Sequence, residues 1–397
     1  MTRWITLLLA VTSAMAVATV YFAQPLLESI ADELGVARQQ IGWVVGATQA
    51  GYALGLLLIV PLGDLIDRKR LLLGQLLFST LALVGVGMAP SWGLLLLALA
   101  ITGLMAVMVQ VMVAHAASLA SPGEQGQAVG TVTSGIVLGI LLARLVAGGL
   151  ADLAGWRSVY LIAAGLLLAL ALVLWRCLPG GQPLAQRPGY RELIVSQLHL
   201  YRHDRLLRER GLFGVLIFAA FSVLWSAMVM PLSAAPLALS HTEIGLFGLA
   251  GVAGTLAASR AGRLADMGRG ERTTGLALAL LTLSWLPAAF VEHSLLAFVM
   301  GVLMLDFAVQ AVHVTNQSLL LAGRGAMASR LIGAYMCCYS VGSGVGAVLA
   351  SWVYARWGWA AVCGLGMAIS AVALGYWLRL RRERAAGAAL QCSGQNL

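Results

Sequence analysis

At 397 residues, 60% of them hydrophobic and only 10% charged, the chain falls well short of the roughly 25% charged residues of a soluble domain. That excludes a water-covered globular surface and leaves lipid as its main solvent. The formal charge of +9 is scattered in short clusters between apolar runs and makes no basic face with interleaved aromatics, so nucleic acid is not an expected partner.

Arg3 opens an apolar run through Val20, with Ala14, Met15 and Ala16 in the pattern of a secretory leader. The run continues past Pro25 to Leu27, so 4–27 reads as a first, uncleaved spanning helix. Cutting the rest at charge and turn clusters predicts spans near 41–62, 71–88, 92–119, 127–150, 156–178, 211–233, 242–262, 273–291, 294–321, 331–354 and 359–379. Backbone groups in hydrocarbon must bond within their own segment, so helices are expected throughout. With the N-terminus placed inside, about twenty-one bases fall on the cytoplasmic side, the asymmetry of the positive-inside rule. Only Arg38, Arg157 and Arg356 then lie outside, and both termini are cytoplasmic.

The longest hydrophilic stretch, 179–210, separates a six-span half at 1–178 from a second at 211–379, which a cytoplasmic tail at 380–397 follows. Leu193, Val195, Leu198 and Leu206 stand among Arg and His in its second part. An amphipathic helix on the inner membrane surface and a solvated linker both fit that pattern. The halves echo each other: Ile41-Gly42 opens the second span and Ile244-Gly245 the eighth, and Gly155-Trp156 precedes the sixth as Gly358-Trp359 precedes the twelfth. A duplicated unit is expected, of the kind that builds a transport site where two halves meet.

After the second span stands Gly63-Asp64-Leu65-Ile66-Asp67-Arg68-Lys69-Arg70, and after the eighth Gly262-Arg263-Leu264-Ala265-Asp266-Met267-Gly268-Arg269. Both resemble the Gly-x-Leu-Ala-Asp-Arg-x-Gly-Arg-Arg loop of the major facilitator superfamily. Span count, central loop and repeated loop position extend that resemblance over nearly the whole chain. It implies an all-α integral membrane fold of twelve transmembrane helices in two pseudo-symmetric six-helix bundles. It also implies a charge-assisted latch between the halves, carried by Gly63, Asp67 and Arg68 and more weakly by Asp266. The first copy lacks the Gly that follows the Asp-Arg pair in the family's pattern. The fifth span, with Gly135, Gly139, Ala143, Gly148 and Gly149, resembles the glycine-rich fifth helix of the bacterial drug and metabolite proton antiporters. Their Gly-Pro pair is absent, Arg144 stands where it would be sought, and the fourth-span run 97–103 holds no arginine.

A charge within hydrocarbon costs at least a few kcal/mol and needs a partner or a wet cavity. Among the acids only Asp306 lies deep inside a predicted span, and among the bases only Arg144. The tenth span carries Asp306, Gln310, His313 and Gln317, whose spacing confines them to an arc of roughly 60°. Lipid would not tolerate that stripe, so it should line a cavity between the halves, with Asn316 beside it. A carboxyl whose surroundings change with gating can take up and release a proton, and histidine titrates near neutrality by default. Asp306, His313 and Arg144 are therefore the proton-coupling candidates, against the alternative that Arg144 and Asp306 form a permanent structural ion pair. Tyr21 and Gln24 share a face of the first span, Gln49 and Tyr52 are neighbours on the second, and Gln110 on the fourth is favoured over His115 as cavity-facing. With Gln310, Asn316 and Gln317 they form the substrate-binding set.

Five cysteines, Cys177, Cys337, Cys338, Cys363 and Cys392, are an odd number set mostly in apolar stretches and read as small hydrophobes. Neither a phosphate-binding Gly-Lys-Ser loop, nor metal-ligand spacing, nor a nucleophile with its base occurs, so no cofactor, no metal and no enzyme activity are expected. The expectation is a monomeric transporter of a bacterial inner membrane, with the lipid bilayer, a small-molecule substrate and protons as its partners, coupling protons to export of a small organic solute. Import or facilitated passage of a small metabolite is the alternative, ahead of a polytopic membrane protein that transports nothing.

Overall fold

A computed structural model describes residues 3–120, 124–179, 189–324 and 327–394. Their helices run α1 (Arg3–Tyr21), α2 (Leu27–Leu34), α3 (Gly42–Leu58), α4 (Arg68–Gly87), α5 (Trp92–Ala106), α6 (Met108–Leu119), α7 (Gln125–Ala154), α8 (Trp156–Cys177) and α9 (Tyr190–His203). The second half continues with α10 (Arg205–Ala227), α11 (Val229–Ser233), α12 (His241–Leu246), α13 (Gly251–Asp266), α14 (Gly270–Leu283), α15 (Trp285–Ala288), α16 (Leu295–Leu321) and α17 (Ala328–Gly394). Among the described residues, 9 helical segments are long and apolar enough to cross a membrane, and one of them, Arg330–Arg384, is 55 residues long. At 1.5 Å per residue that length allows two crossings. Gly358, at φ 72°, breaks α17 between them, a left-handed backbone that glycine adopts without strain. The pairs α12–α13 and α14–α15, broken by a 3₁₀ turn at Phe247–Ala250 and by Pro287, complete the twelve spans.

Helix starts follow the chemistry of the loops. The Asp67 carboxylate accepts from Arg70 N at 2.9 Å and caps α4, Asp204 accepts from Leu207 N at 2.9 Å at the start of α10, and Ser294 accepts from Ala297 N at 3.2 Å at the start of α16. The seventh span begins at Arg205, six residues before the hydropathy boundary at 211. Three of its four charges are paired and so need no loop: Arg205 meets Glu209 at 2.9 Å, Arg210 pairs with Glu271, and Arg384 reaches Glu209 and Glu271 at 2.6 Å each. The stretch from 380 is likewise helical, as a continuation of α17 to Gly394.

The two halves are packed by the same device. A methyl on Gly135 or Gly139 of α7 would overlap the Ala10 or Ala14 carbonyl of α1, and a methyl on Gly342 or Gly346 of α17 would overlap the Val215 or Ala219 carbonyl of α10. First and fifth spans thus cross as seventh and eleventh do, which is the structural form of the duplication. Between halves, Gly148 of α7 lies against the His241 carbonyl and Gly42 of α3 against the Ala347 carbonyl of α17. These contacts lie at the end of the bundle away from the Asp67 loop. There Asp152 accepts from Thr242 N at 2.8 Å and faces His241 Nδ1 at 2.6 Å, while His241 Nε2 lies 2.6 Å from the Ser29 hydroxyl. At the loop end, Tyr190 and Tyr201 of α9 donate to the Leu58 carbonyl of one half (2.7 Å) and the Ala334 carbonyl of the other (2.5 Å).

Gly103→Leu should lower the apparent melting temperature in detergent, by about 1–3 kcal/mol of overpacking, because its side chain would meet the Thr48 carbonyl of α3, a backbone atom that cannot swing aside; an unshifted melting curve would contradict the close crossing. Gly148→Leu should instead prise the halves apart at the far end, measured as a several-fold drop in cross-linking between cysteines introduced by Asp152→Cys and Thr242→Cys.

Candidate functional site

The first span ends at Tyr21 because Pro25 allows only a 3₁₀ turn, Gln24–Leu26, before α2 resumes. That break turns Gln24 inward, where its carboxamide oxygen accepts from Arg144 Nε at 2.5 Å. Arg144, on the glycine-rich α7, is 3% exposed. Its guanidinium stands over the Trp225 ring at 3.8 Å from the centroid, with the rings of Tyr21 and Phe221 at 5.0 and 5.9 Å. Aromatic faces attract a desolvated cation. The edge of the same indole donates from Nε1 to Asp306 Oδ1 at 3.1 Å. Asp306 is 4% exposed and faces α10 and α13, with Gly251 leaving room beside its Oδ2. Among the described residues no ion pair joins Arg144 to Asp306. The direct pair weighed from sequence is replaced by an indole whose face takes the cation and whose edge serves the carboxylate.

The rest of the α16 stripe also faces inward. His313 Nδ1 lies 3.1 Å from the Tyr335 hydroxyl and its Nε2 lies 3.2 Å from Gln317 Nε2. Phe218 and Tyr339 are at 5.0 and 6.4 Å from the His313 ring. Asn316 donates to the Tyr335 hydroxyl and accepts from Arg210, both at 3.4 Å, and Gln310 packs against Gly254 of α13. The Tyr21 and Tyr339 hydroxyls, 2.9 Å apart, bridge the halves. Gln49 borders Tyr339, with its carboxamide oxygen buried and unpartnered, and Tyr52 borders Gln110. Tyr21, Gln24, Arg144 and Asp306 therefore meet around Trp225, His313 and Asn316 meet at Tyr335 with Gln317 beside His313, and Tyr339 lies between the two groups.

The loop residues lie elsewhere. Arg68 donates to the Ala114 carbonyl at 3.3 Å within its own half, Asp67 caps α4 as described, and Gly63 packs beside Leu71. Asp266 ends α13, and its side chain lies outside what is described. His115, the residue passed over in favour of Gln110, is 2% exposed, and neither of its ring nitrogens has a partner among the described residues.

Beyond Tyr21 and Tyr52, the aromatic frame around the candidate residues was missed from sequence. Phe218, Phe221 and Trp225 follow a helical repeat on α10, and Tyr335 and Tyr339 are one turn apart on α17. In a chain this apolar such spacing does not distinguish a cavity wall from a lipid-facing ridge. Arg210 was missed because the span boundary fell on it. A cavity of about 10 Å³ touches Gln24, Arg144, Trp225 and Ile244, room for about one water. A larger one of about 410 Å³ opens beside Thr6, Glu124, Gln127 and Thr131, and no candidate site residue lines it. No group of three or more His, Cys, Asp or Glu side chains that could hold a metal occurs among the described residues.

Comparison with known proteins agrees with this architecture. The chain is 42% identical over 380 residues to the transporter YgaY of Escherichia coli (strain K12), covering 96% of each chain. It is 28% identical over 192 residues to the multi-drug resistance efflux pump PmrA of Streptococcus pneumoniae serotype 4, 46% of this chain and 48% of that one. Its fold superposes at a TM-score of 0.77, with 14% identity and 96% of each chain covered, on a bacterial homolog of the human lysosomal transporter Spinster in an inward-facing and occupied conformation. Residues 6–326 match the profile of the Major Facilitator Superfamily. The chain is a multi-pass membrane transporter, not an enzyme, and belongs to the major facilitator superfamily.

Proposed function

We propose that the protein exports a small organic solute from a bacterial cytoplasm, coupled to protons, by rocking its two halves about the site at Arg144, Trp225 and Asp306. The observation that carries this reading is a carboxylate buried between elements of the second half, held by the indole N–H at 3.1 Å and, among the described residues, by no cation at ion-pair distance. Such a group takes up a proton without first breaking a salt bridge. Arg144 belongs to the first half and Trp225 with Asp306 to the second, so rocking changes the charge that the carboxylate feels. His313, tied to Tyr335 and Gln317, is placed to take part in the same exchange, while Gln49, Tyr52, Gln110 and Gln310 supply hydrogen bonds to a solute.

Rocking would separate the glycine crossings at Gly148 and Gly42 and close the other end, where Asp67, Arg68 and Asp266 serve as the latch. Export is the direction suggested by the efflux-pump relative, and placement in an inner membrane with both termini inside accords with the charge asymmetry of the loops. We take the working unit to be the monomer, because both halves of the site lie in one chain.

Asp306→Asn should abolish solute-induced dissipation of a pH gradient in proteoliposomes, across a panel of candidate solutes, while leaving protein abundance near normal; dissipation at the natural rate would refute the proton role. Trp225→Phe should cost about 1–3 kcal/mol by stranding the buried carboxylate. Combined with Asp306→Ala it should cost less than the sum of the two single losses in thermal unfolding, and strictly additive losses would argue against the indole bond.

A further inference from the structure

Arg144 has five N–H donors and few acceptors. Its Nε donates to Gln24, its Nη2 is buried without any partner, and no carboxylate lies at ion-pair distance among the described residues. It borders the small cavity that Gln24, Trp225 and Ile244 also line. A guanidinium this deeply buried with an idle donor is set up for a planar anion that takes two parallel hydrogen bonds.

The surrounding rings say what is attached to that anion. From Trp225 an aromatic series continues through Phe221, at 5.9 Å between centroids, to Phe218 at 6.0 Å and on to Tyr339 at 4.0 Å. It leads from the guanidinium to His313. A cationic solute fits less well at these ring faces, since they already hold one cation, whose like charge it would meet.

The geometry points to an organic monocarboxylate as the ligand: its carboxylate on Arg144, replacing or joining Gln24, and an apolar or aromatic body along Phe221, Phe218 and Tyr339. This inference rests on the reading of the site as the transport site, and adds the chemical class of its solute.

The test uses the purified full-length protein in detergent and matched probes: benzoate and indole-3-acetate, their amides benzamide and indole-3-acetamide, and the amines benzylamine and tryptamine. The acids should raise the apparent melting temperature in a concentration-dependent way, and the amides and amines should not. Arg144→Gln should abolish the shift. Should that variant fail to fold, Arg144→Lys keeps the charge but loses the planar fork, and should weaken the acids by about tenfold, read as the shift from that variant's own ligand-free melting temperature. Stabilisation by amines or amides in place of the acids, equal binding of the acids to both variants and the natural protein, or no shift with any probe would each overturn the inference. The Asp306→Asn flux measurement reads the transport proposal separately: a pH-gradient response to amines that Asp306→Asn removes would leave that proposal standing while this one falls.

Discussion

One buried charge organises this molecule. Placing a guanidinium near the middle of a bilayer costs several kcal/mol unless the protein replaces its hydration, and Arg144 receives that replacement from three aromatic faces and one carboxamide oxygen. A desolvated cation over an indole gains about 2 kcal/mol or more. The arrangement is also divided between the halves. Tyr21, Gln24 and Arg144 come from the first, and Phe221, Trp225 and Asp306 from the second. No rigid-body movement of one half against the other can leave this charge in the same surroundings, so the site registers the conformation of the whole bundle. The hydroxyl pair of Tyr21 and Tyr339, 2.9 Å apart, crosses the same boundary.

The charge can sit there because of how the backbone around it is made. The small residues of α7 let the carbonyls of Ala10, Ala14 and His241 come against it, and the Arg144 carbonyl itself meets Gly245 of the second half. Any side chain at 245 would push α12 away and open the shell around the guanidinium to water. The same economy of side chains makes the crossings at Gly42 and Gly148 separable: helix surfaces that meet through backbone and hydrogen atoms interlock less deeply than interdigitated side chains. What holds the far end closed is then mostly polar, the cluster of Ser29, Asp152, His241 and Thr242.

Most of the fold was legible in the sequence, and for a physical reason. Hydrocarbon forces apolar runs of about twenty residues into helices, so an all-helical fold of twelve spans could be read directly. The boundary at Arg205 could not, because hydropathy counts charges and does not know that Arg210 has Glu271 as a partner across the bundle. The candidate site was legible where polarity is rare: Asp306, Arg144 and the stripe through Gln317 stand out against an apolar ground, and the first two are buried while Gln310, His313 and Gln317 are half-buried. The aromatic residues of α10 and α17 were not, since Trp225 and Phe218 are as welcome in lipid as in a cavity, and only their partners tell the two apart. For the same reason the sequence allowed an ion pair between Arg144 and Asp306 without showing that an indole stands as the link.

That intermediary has a consequence for how charge and movement are coupled. In a direct salt bridge, attraction and desolvation are both large and nearly cancel, and removing either partner strands the other. Here each charge keeps its own neutral support, Gln24 and ring faces for Arg144 and the indole N–H for Asp306. Either can therefore change its state at a cost set by a hydrogen bond or a ring contact, not by the loss of an ion pair. A transporter that must pass repeatedly between two conformations needs steps of about that size, since a bond much stronger than the few kcal/mol separating its states would hold it in one of them.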